Sequence, residues 1–341
     1  GYLSGDFRRH AMAEFMLPLL EHHDREHFEI VCYSNSEWAD EITRRCESLA
    51  DGWRDISLMN DDQAEAQIKS DGIDILVDLS GHTAGNRLSL VARKPAPVQA
   101  TYIGYPGTTG LAQVDYRITD GYCDPPEIAD AKYREKLLRV PHSLWCFQEP
   151  INMPVPAPPP CLKRGYITFA SVNSMMKLNA RCIALWSRVL RELPTSRMLM
   201  VSIPPGAARE KIVTEFTRNE IDGDRIDFSP TVPREQFWDL FANVDIAFDS
   251  FPYNGGATTC ATLWMGVPVI SLVGELFQSR AGYSILSTLG MSELTALDED
   301  SFVAAALHLA RDPARITSLR DRKSTRLNSS HVSESRMPSS A

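Results

Sequence analysis

The sequence predicts an α/β protein of two doubly wound domains, their parallel sheets facing each other across a cleft. Three observations carry that prediction. Short aliphatic and β-branched runs alternate with longer amphipathic stretches, the pattern of parallel strands covered by helices on both faces. A proline cluster (Pro150, Pro154, Pro156, and Pro158 to Pro160) interrupts the alternation, which restarts with a strand at Tyr166. The chain's 341 residues also exceed one compact core, which favours two domains of roughly 150 residues. The expected division is 1–150, a proline-rich linker over 151–164, and a second domain over 165–320.

Element by element, the apolar runs predict strands at Phe28–Tyr33, Ile73–Leu79, Val98–Ile103, Tyr166–Ser171, Met198–Ile203, Asp245–Asp249 and Val267–Val273. Helices are expected at Met12–Leu20, Asp61–Ser70, Ala180–Leu193, Arg234–Ala242 and Cys260–Met265. In Ala180–Leu193 the residues Ile183, Leu185, Trp186, Val189 and Leu190 fall at helical spacing. Gly1-Tyr2-Leu3-Ser4 reads as a strand already under way, so the chain is expected to begin inside a longer polypeptide. From Asp321 the run DRKSTRLNSSHVSESRMPSSA has no hydrophobic period and matches the in-frame translation of a common sequencing adapter. Residues 321–341 are therefore expected to be an artefactual, disordered tail outside fold and function.

Composition narrows the function classes. Hydrophobic residues make up 43% and charged residues 23%, an ordinary globular balance, and no run of about 18 apolar residues suits a membrane span. A formal charge of −9 argues against a nucleic-acid binder, which needs a basic stripe. Seven cysteines without a CxxC pair suggest neither a disulfide framework nor a zinc site, so a reduced, cytoplasmic setting is expected. His22, His23 and His27 read as an exposed helix end rather than a metal cluster, and Asp222-Gly223-Asp224 as a turn. No GxGxxG follows a strand, and neither GxxxxGK[ST] nor GxSxG occurs.

In such sheets ligands sit beyond the carboxyl ends of the strands, so the loops there are the candidate sites. Phe251-Pro252-Tyr253-Asn254-Gly255-Gly256-Ala257-Thr258-Thr259 follows one strand and precedes a helix. Its glycines allow close backbone approach, and the helix start offers unpaired N–H groups that suit a diphosphate. Asn173-Ser174-Met175-Met176-Lys177 ends another strand in polar residues, and Lys177 is a cation able to neutralise a departing phosphate. In the first half His10 opens a helix, His82 and Thr83 lie in Ser80-Gly81-His82-Thr83-Ala84-Gly85, and Gly104 and Pro106 in Gly104-Tyr105-Pro106-Gly107-Thr108-Thr109-Gly110. These three polar, glycine-containing loops are expected to converge on one sheet edge, where a histidine serves as base, donor or orienter.

The blocks GDFRRHAMAEF, DILVDLSGHTAGNRLSLVARKPAPVQATYIGYPGTTGLAQVDYRITD and DSFPYNGGATTCATLWMGVPVISLVGE resemble the catalytic region of the protein O-GlcNAc transferase family, which includes the SPINDLY-type O-fucosyltransferases. The resemblance covers Gly1 to about Arg320. It implies a GT-B-like fold of two Rossmann-like domains, and an inverting transfer of sugar to Ser or Thr hydroxyls of proteins. It implies no cofactor or metal, only a nucleotide-sugar co-substrate, with tetratricopeptide repeats upstream. By the resemblance His10 matches the active-site histidine and Lys177 the lysine at the diphosphate. Asn173, Ser174 and Arg234 match donor-side positions, Gly104 and Pro106 the loop lining the sugar, and Gly255 to Thr258 the phosphate and ribose turn.

The chain departs from the family at Gly256-Ala257-Thr258, where relatives often have His-Thr-Thr. It departs again at Ala261, where they have an acid that holds the ribose; that loss removes on the order of 1.5–3 kcal/mol if nothing replaces it. The expected donor is UDP-GlcNAc and the expected partners are acceptor proteins, with no nucleic acid and no membrane. The alternatives are a GDP-fucose O-fucosyltransferase and a non-catalytic nucleotide-sugar-binding module.

Overall fold

The computed structural model describes residues 1–148, 154–230, 232 and 234–321, the side chains of 234 and 235 excepted. The chain divides into two compact units, Gly1–Pro150 and Ile151–Ala341.

The first unit carries a parallel sheet of β1 (Tyr2–Ser4), β2 (Val31–Ser34), β3 (Gly52–Asp55), β4 (Ile75–Asp78), β5 (Val98–Tyr102), β6 (Tyr116–Asp120) and β7 (Lys136–Val140). Their spatial order is β3-β2-β1-β4-β5-β6-β7. The order reverses between β1 and β4, which opens a crevice at their carboxyl ends. Leu3, Val31, Tyr33 and Leu76 of the strands bury against Ala64 and Ile68 of the helix Asp61–Ser70 and against Leu90 and Val91. That helix starts at Asn60, whose side chain accepts from Gln63 N while Gln63 reaches back to Asn60 N, a reciprocal cap.

The second unit repeats the plan with β8 (Thr168–Ser171), β9 (Arg197–Met200), β10 (Ile226–Phe228), β11 (Ile246–Phe248), β12 (Val269–Leu272) and β13 (Thr295–Ala296). The order is β10-β9-β8-β11-β12-β13, so its reversal lies between β8 and β11. Phe169 of β8 stacks on Phe248 of β11 at 4.6 Å between ring centroids, and Trp186 and Phe302 pack onto Phe248 from two helices. Each such buried ring contributes about 1.5–3 kcal/mol. Trp186 belongs to the helix Ala180–Glu192, capped by Asn179 Oδ1 accepting from Cys182 N at 3.1 Å.

Several boundaries differ from the sequence reading. Phe28 lies outside β2 because its N–H closes a turn onto Asp24 O. The helix expected over Arg234–Ala242 is α-helical only over Arg234–Phe237 and continues as a 3₁₀ helix, Trp238–Asn243. The expected linker is not extended throughout. Cys161–Arg164 form a helical turn started by Pro160, which has no N–H to lose, and closed by Gly165 at φ +73°. At the far end residues 313–321 are helical, so Asp321, expected in the tail, lies in a helix; the rest of the expected tail, 322–341, lies outside the described residues.

Candidate active site

Both loops of the second unit singled out from sequence emerge at the β8/β11 reversal. Asp249, the residue after β11, is 2% exposed and organises them. Its Oδ1 accepts from Asn173 Nδ2 at 3.0 Å, Ser250 N at 3.0 Å and Gly255 N at 2.8 Å, and its Oδ2 from Ser271 Oγ at 3.0 Å. Burial pushes this carboxyl up to about 6, against the Gly255 amide and the Lys177 charge. Gly255 admits no side chain, since a Cβ there would lie 2.5 Å from Thr259 Oγ1 and 2.7 Å from Asn173 Oδ1. Asn254 is fixed by Nδ2 donating to Ser250 O at 2.8 Å and by its N–H donating to Gln278 O at 2.7 Å.

Lys177 closes the cluster. It ends the 3₁₀ turn Met175–Lys177, begun by Ser174, whose hydroxyl accepts from Met176 N. Its Nζ donates to Asn254 O at 2.7 Å and sits 4.4 Å from the centroid of the Tyr253 ring. Burial lowers its hold on the proton, and Asp249 opposes that. The helix predicted at Cys260–Met265 instead spans Ala257–Trp264, because Cys260 N already reaches Gly256 O. Ala257, Thr258 and Thr259 are therefore its first turn, whose N–H groups have no intrahelical acceptor. Gly256 at the cap offers no side chain to them, and no acidic residue stands in that turn. Ala261 is buried on the same helix. The Arg234 side chain lies outside the described residues.

In the first unit the three glycine-containing loops follow β1, β4 and β5, adjacent parallel strands, and so share one sheet edge. Gly5 N donates to Ser80 Oγ at 3.4 Å, and a Cβ on Gly104 would lie 1.9 Å from Leu79 O. His82 meets Tyr105 edge to face at 5.0 Å, and Thr83 Oγ1 donates to Ser80 O. Pro106 lies between Tyr105 and Gly107, whose carbonyls both accept from the buried Arg117 guanidinium. Asp78 ends β4 and repeats the Asp249 arrangement. It accepts from Ser80 N, Gly81 N and Thr101 Oγ1, and burial pushes its carboxyl up as well.

His10 lies in the turn before the helix Ala13–His22, its side chain 43% exposed. Its Nδ1 accepts from Met12 N at 3.2 Å and stands 3.7 Å from Asp6 Oδ2. A ring nitrogen that accepts carries no proton, so the neutral ring keeps its proton on Nε2. Of the other histidines, His23 pairs with Tyr2 Oη and His27 with Asp24. No group of three or more His, Cys, Asp or Glu among the described residues is arranged to hold a metal ion. No helix among them is long and apolar enough to cross a membrane.

Sequence reasoning did not find Asp249 or Asp78. Both look like ordinary strand ends, and only their burial at the two reversals marks them.

The profile of glycosyl transferase family 41 matches residues 1–151 and 161–340, the latter stretch running past Asp321. The tomato (Solanum lycopersicum) protein SPINDLY, described as a probable UDP-N-acetylglucosamine–peptide N-acetylglucosaminyltransferase, is 36% identical over 327 residues, covering 94% of this chain and 35% of that protein. The SEC protein of Arabidopsis thaliana, described in the same terms, is 30% identical over 325 residues, covering 91% of this chain and 33% of its own. The chain thus spans about a third of the length of these curated relatives. A solved mutant of Thermobaculum terrenum O-GlcNAc transferase superposes with a TM-score of 0.92 at 32% identity, over 98% of this chain and 64% of that one. Sucrose-phosphate synthase of Thermosynechococcus elongatus shares the fold, with a TM-score of 0.60 at 11% identity over 96% of this chain and 93% of its own. The strand order, the two reversals and the matched profile together place the chain in glycosyl transferase family 41, with a GT-B-like fold of two Rossmann-like units.

Proposed function

We propose that the protein is an inverting glycosyltransferase that moves a sugar from a nucleoside-diphosphate donor onto Ser or Thr hydroxyls of proteins. The observation that carries this reading is the turn 254–259 at the β8/β11 reversal, where Lys177 Nζ donates to Asn254 O and the first-turn amides of the helix Ala257–Trp264 follow three residues on. An acceptor hydroxyl attacks the anomeric carbon as the bond to the diphosphate breaks, and negative charge grows on the departing oxygen. The amides of Ala257 to Thr259 and the Lys177 Nζ stabilise that charge, a role a divalent cation would otherwise take. The acceptor hydroxyl gives up its proton to solvent water in the same step, and the nucleoside diphosphate departs with the electron pair of the broken bond. His10, with its proton on Nε2, serves the acceptor side as a hydrogen-bond donor that orients an oxygen. Asn173, Ser174, Arg234, Asn254, Gly255 and Gly256 belong to the donor side in this reading, and Gly104, Pro106, His82 and Thr83 to the sugar and acceptor side.

UDP-GlcNAc is the proposed donor, supported by the activity ascribed to the SPINDLY and SEC relatives. Ala261 leaves the ribose without the usual carboxylate, so GDP-fucose is the necessary comparison. Intact-mass measurement of an acceptor protein after incubation with each donor decides between an N-acetylhexosamine and a deoxyhexose adduct. An acceptor left unmodified by both, with no rise in melting temperature on adding UDP or GDP, refutes the reading.

A further inference from the structure

The transfer chemistry makes no use of Asp249, although its carboxylate sits at the centre of the donor site. A buried carboxylate is costly unless it is hydrogen-bonded and paired, so its presence among β-strand ends calls for a reason. The contacts supply one. Three N–H donors from two loops, Asn173 Nδ2 after β8 and the Ser250 and Gly255 amides after β11, converge on Oδ1, while Ser271 of β12 holds Oδ2. Gly282, in the helix Ala281–Thr288, leaves room for the pair, since a Cβ there would lie 2.6 Å from Asp249 Oδ2 and 2.2 Å from Ser271 Oγ. The titratable groups in electrostatic contact with it are the Lys177 ammonium and the Cys182 thiol.

We propose that Asp249 is the positioning residue of the diphosphate site, its carboxylate locking the Gly255 amide and the Asn173 loop into one frame and holding the Lys177 charge beside them. The assignment rests on the donor reading given above. Lys177 is partly buried, and burial alone would release its proton at lower pH; the neighbouring carboxylate counters this. The ammonium is thus in place before a diphosphate arrives, and the amides need no rearrangement to meet it.

The test is Asp249→Asn in the whole chain, with Ser271→Ala as a control. Asparagine keeps one oxygen for the three N–H donors and turns its amide nitrogen to Ser271 Oγ, which can accept. The substitution therefore removes the charge and keeps the shape. Competitive acetylation across the alkaline range, read peptide by peptide in a mass spectrometer, gives the pH profile of Lys177.

The expected result is a shift of the Lys177 profile to lower pH by about half a unit, or roughly threefold faster labelling at fixed pH, in Asp249→Asn. Ser271→Ala leaves it in place. An unchanged profile in folded Asp249→Asn overturns the assignment, and so does an equal shift in Ser271→Ala, which would trace the effect to packing. Should Asp249→Asn not fold, Gly282→Ala displaces the same carboxylate without removing it, and Lys177 labelling identical to that of the unsubstituted chain then overturns the assignment. UDP and GDP are added in parallel. If neither protects Lys177 in the unsubstituted chain the donor reading fails, while the Lys177 shift remains measurable and separate.

Discussion

Lys177 and Asp249 show how differently two charged residues of one site behave. Lys177 Nζ donates to Asn254 O and lies over the Tyr253 ring, so in the proposed reaction its removal leaves the turn standing but strips the cation from the leaving group. Lys177→Met is expected to slow sugar transfer about 10²-fold or more with the melting temperature little changed, checked by single-turnover rates and calorimetry. Asp249 acts on stability through pH. Its carboxyl is raised to about 6 in the folded chain against 3.8 ordinarily, so the folded state holds a proton that the unfolded chain gives up between those values. Its ionised form therefore costs stability above about pH 6, and the cost fades as pH falls toward 4. Asp249→Asn is expected to gain stability relative to the unsubstituted chain between pH 5 and pH 8, by at most about 3 kcal/mol. Denaturant melts at the two pH values check this, and a difference that shrinks with rising pH contradicts it. Lys177 was legible in the sequence as a cation after a strand. Asp249 was not, because its role is set by partners as distant as Asn173, 76 positions away.

Elements with a strong period were legible, and those whose role depends on neighbours were not. The helix Ala180–Glu192 buries the residues its spacing names. β6 and β7 escaped notice because Arg117, Thr119 and Asp120 are the buried residues of β6, and β7 keeps Leu138 half-exposed. Apolar periodicity cannot report a strand whose inward face is polar and whose charge is met inside the unit, as Arg117 donates Nη1 to Tyr105 O and Gly107 O and stands 4.0 Å from the Asp124 carboxylate. The start of the helix Ala257–Trp264 was misread because two threonines resemble loop. Their amides lie in the first turn, where no intrahelical acceptor is available to them. The loop Gly104–Gly110 is pressed against the end of β4, so Gly104→Ala must push a methyl into Leu79 O. A loss of about 1–3 kcal/mol or more is expected by thermal denaturation. An unchanged melting temperature would show that the loop can move aside.

At the scale of the molecule, none of the seven cysteines forms a disulfide and six are buried, and burial pushes the Cys32 and Cys46 thiols up to about 12. A reductant is therefore expected to leave the melting temperature unchanged, and alkylation of the denatured chain to count seven thiols. In the proposed reaction Lys177 and the first-turn amides take the charge role at the leaving group, so saturating EDTA is expected to leave sugar transfer unchanged. A fall restored by a divalent cation would contradict that division of labour. The two-unit α/β plan was legible from alternation and the proline cluster alone, whereas the strand orders, which fix where each loop emerges, needed the structure. Those orders run in the same sense in both units, and at each reversal a sunken aspartate, Asp78 or Asp249, tethers the backbone that follows. An engineer wishing to swap sugar preference between relatives would thus do poorly by transplanting the 254–259 stretch alone. The graft should travel with Asn173, Asp249 and Ser271 as one cassette, or the imported segment will arrive without its mooring.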